Sequence, residues 1–370
     1  MIEIDKKKLK DYLSSIFSSD IEIKKIKKLG EGFHGIGFSI DMIDKNGNEK
    51  KYILKTLRGE GFGQDYPADR ASVLIRALMD YNLLPKHVKA INVGSIQNNG
   101  KLLSIGNPND FFIVMEEGKG KDYWNDLDNI REEGVLKGED RERVKTLAKY
   151  LGDIHSVEYD GSNRKHLYRR VTRDFVGHGE LTMGVIDTFP DDLGFVDRKD
   201  LLEIVKKMVE WWDKIKDGDH RLRTIHGDFH PGNIWFNDGE LGVLDRCRFR
   251  YGEPADDTTC LTMNFINFSV MSFGDFRDPF KELLELFFKE YFKRMDDPGM
   301  FKVSPLFYAF RGLVCIHPIF YSQEWMKKHG FKEERINAIN ENKKKIINFI
   351  NNVLNEDEFK IKKINTYLKD

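Results

Sequence analysis

Apolar and charged side chains alternate along IEIKKIKKL (21–29), the period of a half-buried strand. GIGFSIDMI (35–43) repeats the pattern with Phe38, Ile40 and Met42 on one face, and EKKYILKTL (49–57) predicts a third strand. DKNGN (44–48) lies between the last two and reads as a hairpin turn, because Asn-Gly tolerates positive φ. Residues 67–82 change to a helical period, with Ala71, Leu74, Ile75 and Leu78 on one side. VKAINVGSI and FFIVMEE (111–117) return to strand-like runs.

From residue 118 the pattern is different. GKGKDY (118–123) is polar and glycine-containing, the composition of a hinge. Residues 139–156 place Val144, Leu147, Leu151 and Ile154 on one helical stripe, and 199–216 do likewise around Trp211 and Trp212. Three more helices are expected at roughly 276–295, 304–327 and 333–356. The expectation is an α+β fold: a small β-rich N-terminal lobe, residues 1–117, then a larger, mostly helical C-terminal lobe, residues 118–370.

Composition narrows the function classes. The chain has 370 residues, 40% of them hydrophobic, enough for a large core. Lys plus Arg total 60 against 61 Asp plus Glu, a balance that argues against coating nucleic acid or anionic membrane. Three cysteines are too few and too scattered for a disulfide framework or a four-ligand zinc site. The N-terminus lacks the apolar run of a signal peptide, and no stretch reaches ~18 consecutive apolar residues. A cytoplasmic protein with neither nucleic-acid nor membrane partners is expected; the pattern carries no reading of oligomeric state.

Four separated features carry chemistry. Gly30-Glu-Gly32-Phe-His-Gly35-Ile-Gly37 lies between two predicted strands. Glycines there let backbone N–H groups approach phosphate oxygens, and strand–glycine loop–strand is the phosphate lid of kinase-like folds. Lys55 follows one hairpin later, where such folds place a phosphate-binding lysine. In IHGDFHPGNIWF (225–236), His226, Asp228 and Asn233 have the spacing of a kinase catalytic loop. One carboxylate takes the proton of an attacking hydroxyl, and an amide oxygen on the same loop ligates Mg²⁺. In LGVLDRCRFRYGEPADD (241–257), Asp245 ends an apolar strand where a second metal carboxylate is needed. Asp257 opens an apolar helix, where it would cap that helix or tie down the catalytic loop. His226 reads as a buried histidine that supports the loop backbone.

These residues resemble the aminoglycoside phosphotransferase and choline kinase-like family, the small-molecule branch of the protein-kinase-like fold. HGDFHPGN is similar to its catalytic motif, and Asp245 with the Gly252-x-Pro254-x-x-Asp257 tail resembles its metal segment. The resemblance spans residues 20–330 and is most specific over 225–257. It implies that LGDIH (151–155) contributes a structural His155, and that FFIVMEE joins the lobes with Glu116 and Glu117 near the adenine. Residues 67–82 carry no Glu to pair with Lys55, which leaves Asp69 as the nearest acid.

The expected function is transfer of the γ-phosphoryl group of ATP or GTP, with Mg²⁺, to a hydroxyl of a small molecule. The alternatives are an atypical protein Ser/Thr kinase and a non-catalytic nucleotide-binding protein. Only eleven residues separate Asp245 from Asp257, too few for a long activation loop, which favours a small acceptor. Arg246, Arg248 and Arg250 follow Asp245, and Arg311 and His317 lie on a later helix. Their charge predicts a neutral or anionic acceptor.

Overall fold

The computed structural model describes residues 4–370 except 33–34, 58, 60–62, 84–87, 107, 109, 112, 114, 192, 247–249 and 320–332, with backbone alone at 30–32, 333–336 and 338. Two compact units divide the chain, Met1–Met115 and Glu116–Asp370.

The first unit is built on a three-stranded antiparallel sheet, β1 (Ile21–Gly32), β2 (Gly35–Asp44) and β3 (Glu49–Leu57), in that order. Phe38, Ile40 and Met42 are buried, and Leu54 and Tyr52 pair with Phe38 and Ile40 on the same face. Their cover is a helix, α1 (Lys6–Phe17), whose Leu9 and Leu13 pack against Ile21, Ile23, Ile40 and Met42. Asp5 caps α1 by accepting the Lys8 N–H at 2.9 Å. The opposite face of β3 presents Ile53 and Lys55.

Helix α2 (Pro67–Asp80) starts on a proline that needs no N–H partner, and buries none of its residues; Ala71, expected on its packed side, is exposed. Of VKAINVGSI only Gly94–Ile96 is a strand, β4, paired with β5 (Leu102–Ser104). The expected strand at 111–117 is not observed among its described residues. A strand needs a partner's ladder, and among the described residues β4 and β5 pair only with each other; Phe111, Ile113 and Met115 stay 58%, 75% and 68% exposed.

The second unit is mostly helical. It contains α3 (Trp124–Glu133), α4 (Gly138–His155), α5 (Arg164–Gly177), α6 (Thr182–Asp187), α7 (Arg198–Ile215), α8 (Pro254–Phe273), α9 (Phe280–Tyr291), α10 (Met300–Ile316) and a helix at Glu333–Leu354. Helix α8 is buried from Pro254 to Val270, and its polar residues, Asp256 and Asp257 among them, are buried with its apolar ones. It packs against α9, α10 and the Glu333–Leu354 helix. Trp211 belongs to this core and donates its indole N–H to the Leu354 carbonyl at 2.9 Å.

The helix expected at 276–295 is shorter, Phe280–Tyr291, and the one expected at 304–327 runs from Met300 to Ile316, with 320–327 outside the described residues. Helix α5 escapes a sequence reading because its buried Leu167, Val171 and Phe175 are outnumbered by charged neighbours.

Within GKGKDY, Lys121–Asp122 is a strand rather than free hinge. This strand, β6, pairs with Phe236 and Trp235 of β8 (Ile234–Asn237), which in turn pairs with β9 (Glu240–Val243). Two short strands, β7 (Arg223–Thr224) and β10 (Tyr251–Gly252), bracket the loop and hairpin in between. The chain is thus α+β, a small N-terminal β-sheet lobe and a larger, mostly helical C-terminal lobe with protein-kinase-like topology.

Candidate active site

The segment between β7 and β8 is held from both sides. Ile225 and Phe229 are buried, and Phe229 stacks on Tyr150 with ring centroids 5.6 Å apart. Gly227 has φ +88°, a conformation that costs a side-chain-bearing residue. Its N–H and that of His226 both donate to the buried carboxylate of Asp257, at 2.7 and 2.6 Å. The other neighbour of Asp257 is His155, whose Nε2 lies 3.1 Å from Oδ2 while Nδ1 meets the Tyr291 hydroxyl at 2.9 Å. Burial opposes the charge of Asp257, yet His155 and the N–H of His226 hold its carboxyl below the ordinary carboxylate value.

His226 is buried, and its Nδ1 accepts the Asp228 N–H at 3.3 Å. That bond leaves Nε2 as the protonated nitrogen, without an acceptor among the described residues. Past Asp228 the chain makes a 3₁₀ turn, Pro231–Asn233. His230 Nδ1 accepts the Gly232 N–H at 3.0 Å, and the Trp235 indole donates to the Gly232 carbonyl at 3.1 Å. A Cβ at Gly232 would lie 2.7 Å from Trp124 Nε1, so the turn closes only on glycine.

Asn233 is next on this rigid turn. Its Nδ2 donates to the Asp228 carbonyl at 3.0 Å, which turns the amide oxygen away from the loop; that oxygen takes no hydrogen bond among the described residues. Hairpin β8–β9 then brings Asp245 back. Leu244 N–H donates to the Asn233 carbonyl at 2.9 Å, so Asp245 follows one residue beyond that contact. Asp245 is exposed at φ +53°, a left-handed conformation aspartate tolerates better than most residues, and has no partner among the described residues.

An amide oxygen and a carboxylate on adjoining strand ends are the donors Mg²⁺ takes beside substrate phosphates. Among the described residues no group of three or more His, Cys, Asp or Glu would hold a metal without such phosphates. The donor set therefore fits a phosphate-borne Mg²⁺ rather than a dedicated protein cage.

Behind Asp228 lies a residue that the sequence reading counts as a cation facing the acceptor. Arg311 of α10 is 4% exposed. Its Nη1 donates to Asp228 Oδ1 at 2.9 Å and its Nη2 to Asp256 Oδ1 of α8. Burial opposes this charge too, but Cys260, Asp256 and Asp228 hold the guanidinium well above the ordinary arginine value. Two expectations about acceptor charge change accordingly. Arg311 is matched by two carboxylates, and burial holds the His317 imidazole below the ordinary histidine value and so favours its neutral form. Arg246 donates to the Ile225 and Arg250 carbonyls, both at 2.7 Å, and so ties the segment after Asp245 to the start of the loop. Arg248 lies outside the described residues. A second buried cation, Arg221, is structural: it pairs with Glu253 and Asp297 where α8 begins.

The first unit holds the other site residues. Gly30 pairs with Gly37 and Gly32 with Gly35 across the β1–β2 hairpin, whose tip, 33–34, lies outside the described residues. Gly35 is demanded by packing, since a Cβ would meet the Thr56 carbonyl at 2.1 Å. Gly37 is not: a Cβ there would meet nothing within 4 Å. Lys55 is the cross-strand partner of Gly37, is exposed and has no ion pair among the described residues. Asp69, its expected partner, instead accepts the Tyr66 N–H at 2.7 Å and caps α2. Glu116 and Glu117 are exposed, irregular residues at the start of the second unit.

Sheet, loop and hairpin define a protein-kinase-like chain. A family model described as "APH: Phosphotransferase enzyme family" matches residues 64–287, more than half of the chain, and the chain belongs to that family. No curated protein matches. Among solved structures, an amicoumacin kinase in complex with AMP-PNP, Ca²⁺ and Ami is 17% identical over 88% of each chain, with a TM-score of 0.43. An ethanolamine kinase of Plasmodium vivax is 14% identical over 88% of this chain and 82% of its own, TM-score 0.36. A glucosamine kinase in complex with glucosamine, ADP and inorganic phosphate is 12% identical over 86% of this chain and 92% of its own, TM-score 0.37.

Proposed function

We propose that the protein transfers the γ-phosphoryl group of ATP or GTP to a hydroxyl of a small molecule. The observation that carries this reading is the loop itself. Asp228 and Asn233 share one turn whose backbone is tied by the Asp257 carboxylate and by the Asn233 amide, so both side chains start from fixed backbone positions before any substrate arrives. Such preorganisation is most of what phosphoryl transfer asks of a protein.

In this reading the acceptor hydroxyl oxygen bonds to the γ-phosphorus as the bond to the β–γ bridging oxygen breaks. Asp228 takes the hydroxyl proton, and the nucleoside diphosphate leaves with the bridging oxygen. Asn233 and Asp245 would hold Mg²⁺. When bound, that ion supplies charge neutralisation across the nucleotide phosphates. Lys55 would meet the α- and β-phosphates, and the open space over Gly37 beside it leaves room for them. His226 and Asp257 keep the loop in shape. Glu116 and Glu117 would lie near the adenine.

The test is nucleotide consumption by the purified protein against neutral, anionic and polycationic hydroxyl compounds, with Mg²⁺ and either nucleotide. Consumption that depends on an acceptor and is lost in Asp228→Asn supports the reading. Phosphorylation of a Ser/Thr peptide instead would favour the protein kinase alternative, and nucleotide binding without consumption would favour a non-catalytic role.

A further inference from the structure

We propose that Arg311 is a positioning residue of this site, setting the orientation of the Asp228 carboxylate through a guanidinium fork anchored on Asp256. The inference rests on the reading of Asp228 given above.

The fork joins three levels of burial. Arg311 and Asp256 side chains are 5% and 7% exposed, while Asp228 is 19% exposed at the edge of the interior. One guanidinium nitrogen is fixed by Asp256, deep on α8. The other reaches Asp228 Oδ1 at 2.9 Å, and Cys260 Sγ closes on the same oxygen at 3.9 Å. A purely stabilising part is the competing account, and buried ion clusters often add little over well-packed apolar residues.

The loop's own bonds favour positioning. Its backbone is already tied by Asp257 to two N–H groups, by Asn233 to the Asp228 carbonyl and by His226 to the Asp228 N–H. None of these restrains the Asp228 side chain. Arg311 does, and holding Oδ1 fixes the carboxylate plane and therefore where its second oxygen points. A lysine could not do the same work, because a point charge has no rigid fork to span two carboxylates.

Full-length wild type, Arg311→Met, Arg311→Met with Asp256→Asn, and Arg311→Lys would be compared by thermal unfolding and by consumption of Mg²⁺-ATP with the best acceptor of the panel. Arg311→Met alone takes the guanidinium away from an interior carboxylate and should lose stability. The double variant removes both interior charges and should regain it. Its kcat should nevertheless stay about 10²-fold below wild type, the scale of a misplaced catalytic group, with the nucleotide KM within about twofold. Arg311→Lys should recover part of kcat, to within about tenfold of wild type. A double variant that regains kcat together with stability would show a structural role and overturn the inference. If the double variant stays unstable, wild-type kcat in Arg311→Lys overturns it equally. A wild type that consumes no nucleotide, or an Asp228→Asn variant with full activity, removes the underlying phosphotransferase reading instead and takes this inference with it.

Discussion

The two units handle charge in opposite ways. In the first, Lys55 stands exposed on β3 beside the uncrowded Gly37, and the charged groups around it are surface ones. In the second, Asp257, His155, Arg311 and Asp256 are buried and bonded to one another or to the loop carrying Asp228. An exposed lysine keeps its hydration and its rotamer freedom until an anion arrives, so it suits capture of a mobile, highly charged ligand. Buried charges are tolerated only when satisfied, and satisfaction fixes their geometry. The difference teaches where fixed geometry resides: in the proposed function, binding charge sits on the sheet and chemical alignment in the helical unit.

The largest break in that contrast should come from Asp228→Asn. Loss of the proposed base should lower kcat by ~10²–10⁴-fold while nucleotide binding, measured by calorimetry, stays close to wild type. Near-normal turnover at saturating acceptor would remove Asp228 from the chemistry.

Next is Asp257→Asn, which leaves two loop N–H groups and His155 with a weaker acceptor. Unfolding should become easier by about 3 kcal/mol, seen in denaturant melts. The sign with pH follows from the lowered pKa. Stability contributed by the ionised Asp257 is present above the ordinary value of 3.8 and is lost as pH falls below it, when the folded state must take up a proton it resists. The wild type should therefore destabilise on acidification in that range, and the variant should show a shallower slope. Equal slopes would mean that other carboxylates dominate.

Smaller is the effect of Asp245→Ala. Nucleotide affinity in the presence of Mg²⁺ should fall roughly 10–100-fold, the equivalent of losing one charged contact, with little change when the metal is left out. Equal losses in both conditions would argue against a metal ligand.

The smallest is Lys55→Ala, which sharpens the contrast from the other side. The nucleotide KM should rise about tenfold, or ~1.4 kcal/mol, while unfolding stability changes by less than ~0.5 kcal/mol because the side chain is exposed. A large stability loss would show that Lys55 has a structural part to play in the sheet.

Local periodicity and spacing were enough for what depends on neighbours in the chain. Strands β1 to β3 fall on the alternating runs, because alternation is what a one-sided sheet requires. Asp228 and Asn233 could be singled out because one turn of backbone carries both. The outlook was poorer wherever a residue's role depends on a distant partner. The run at 111–117 looks like a strand by composition, yet strands are made by ladders with other strands. Helix α1 exists because Leu9 and Leu13 cover Ile21 and Ile40, a match no window of the N-terminal sequence displays.

Arg311 shows the limit most clearly. By sequence it is one more cation on a helix, and its charge counted against cationic acceptors. Its meaning arises 83 residues away from Asp228, where the packing of α8 against α10 carries it into the interior between two carboxylates. Residue types and short spacings alone determined the kinase-like loop, the glycine-containing hairpin and the lysine strand, since each is a local conformational requirement. Only the tertiary structure decided which charges are exposed and which are paired, because the cost of burying a charge is set by what surrounds it in space.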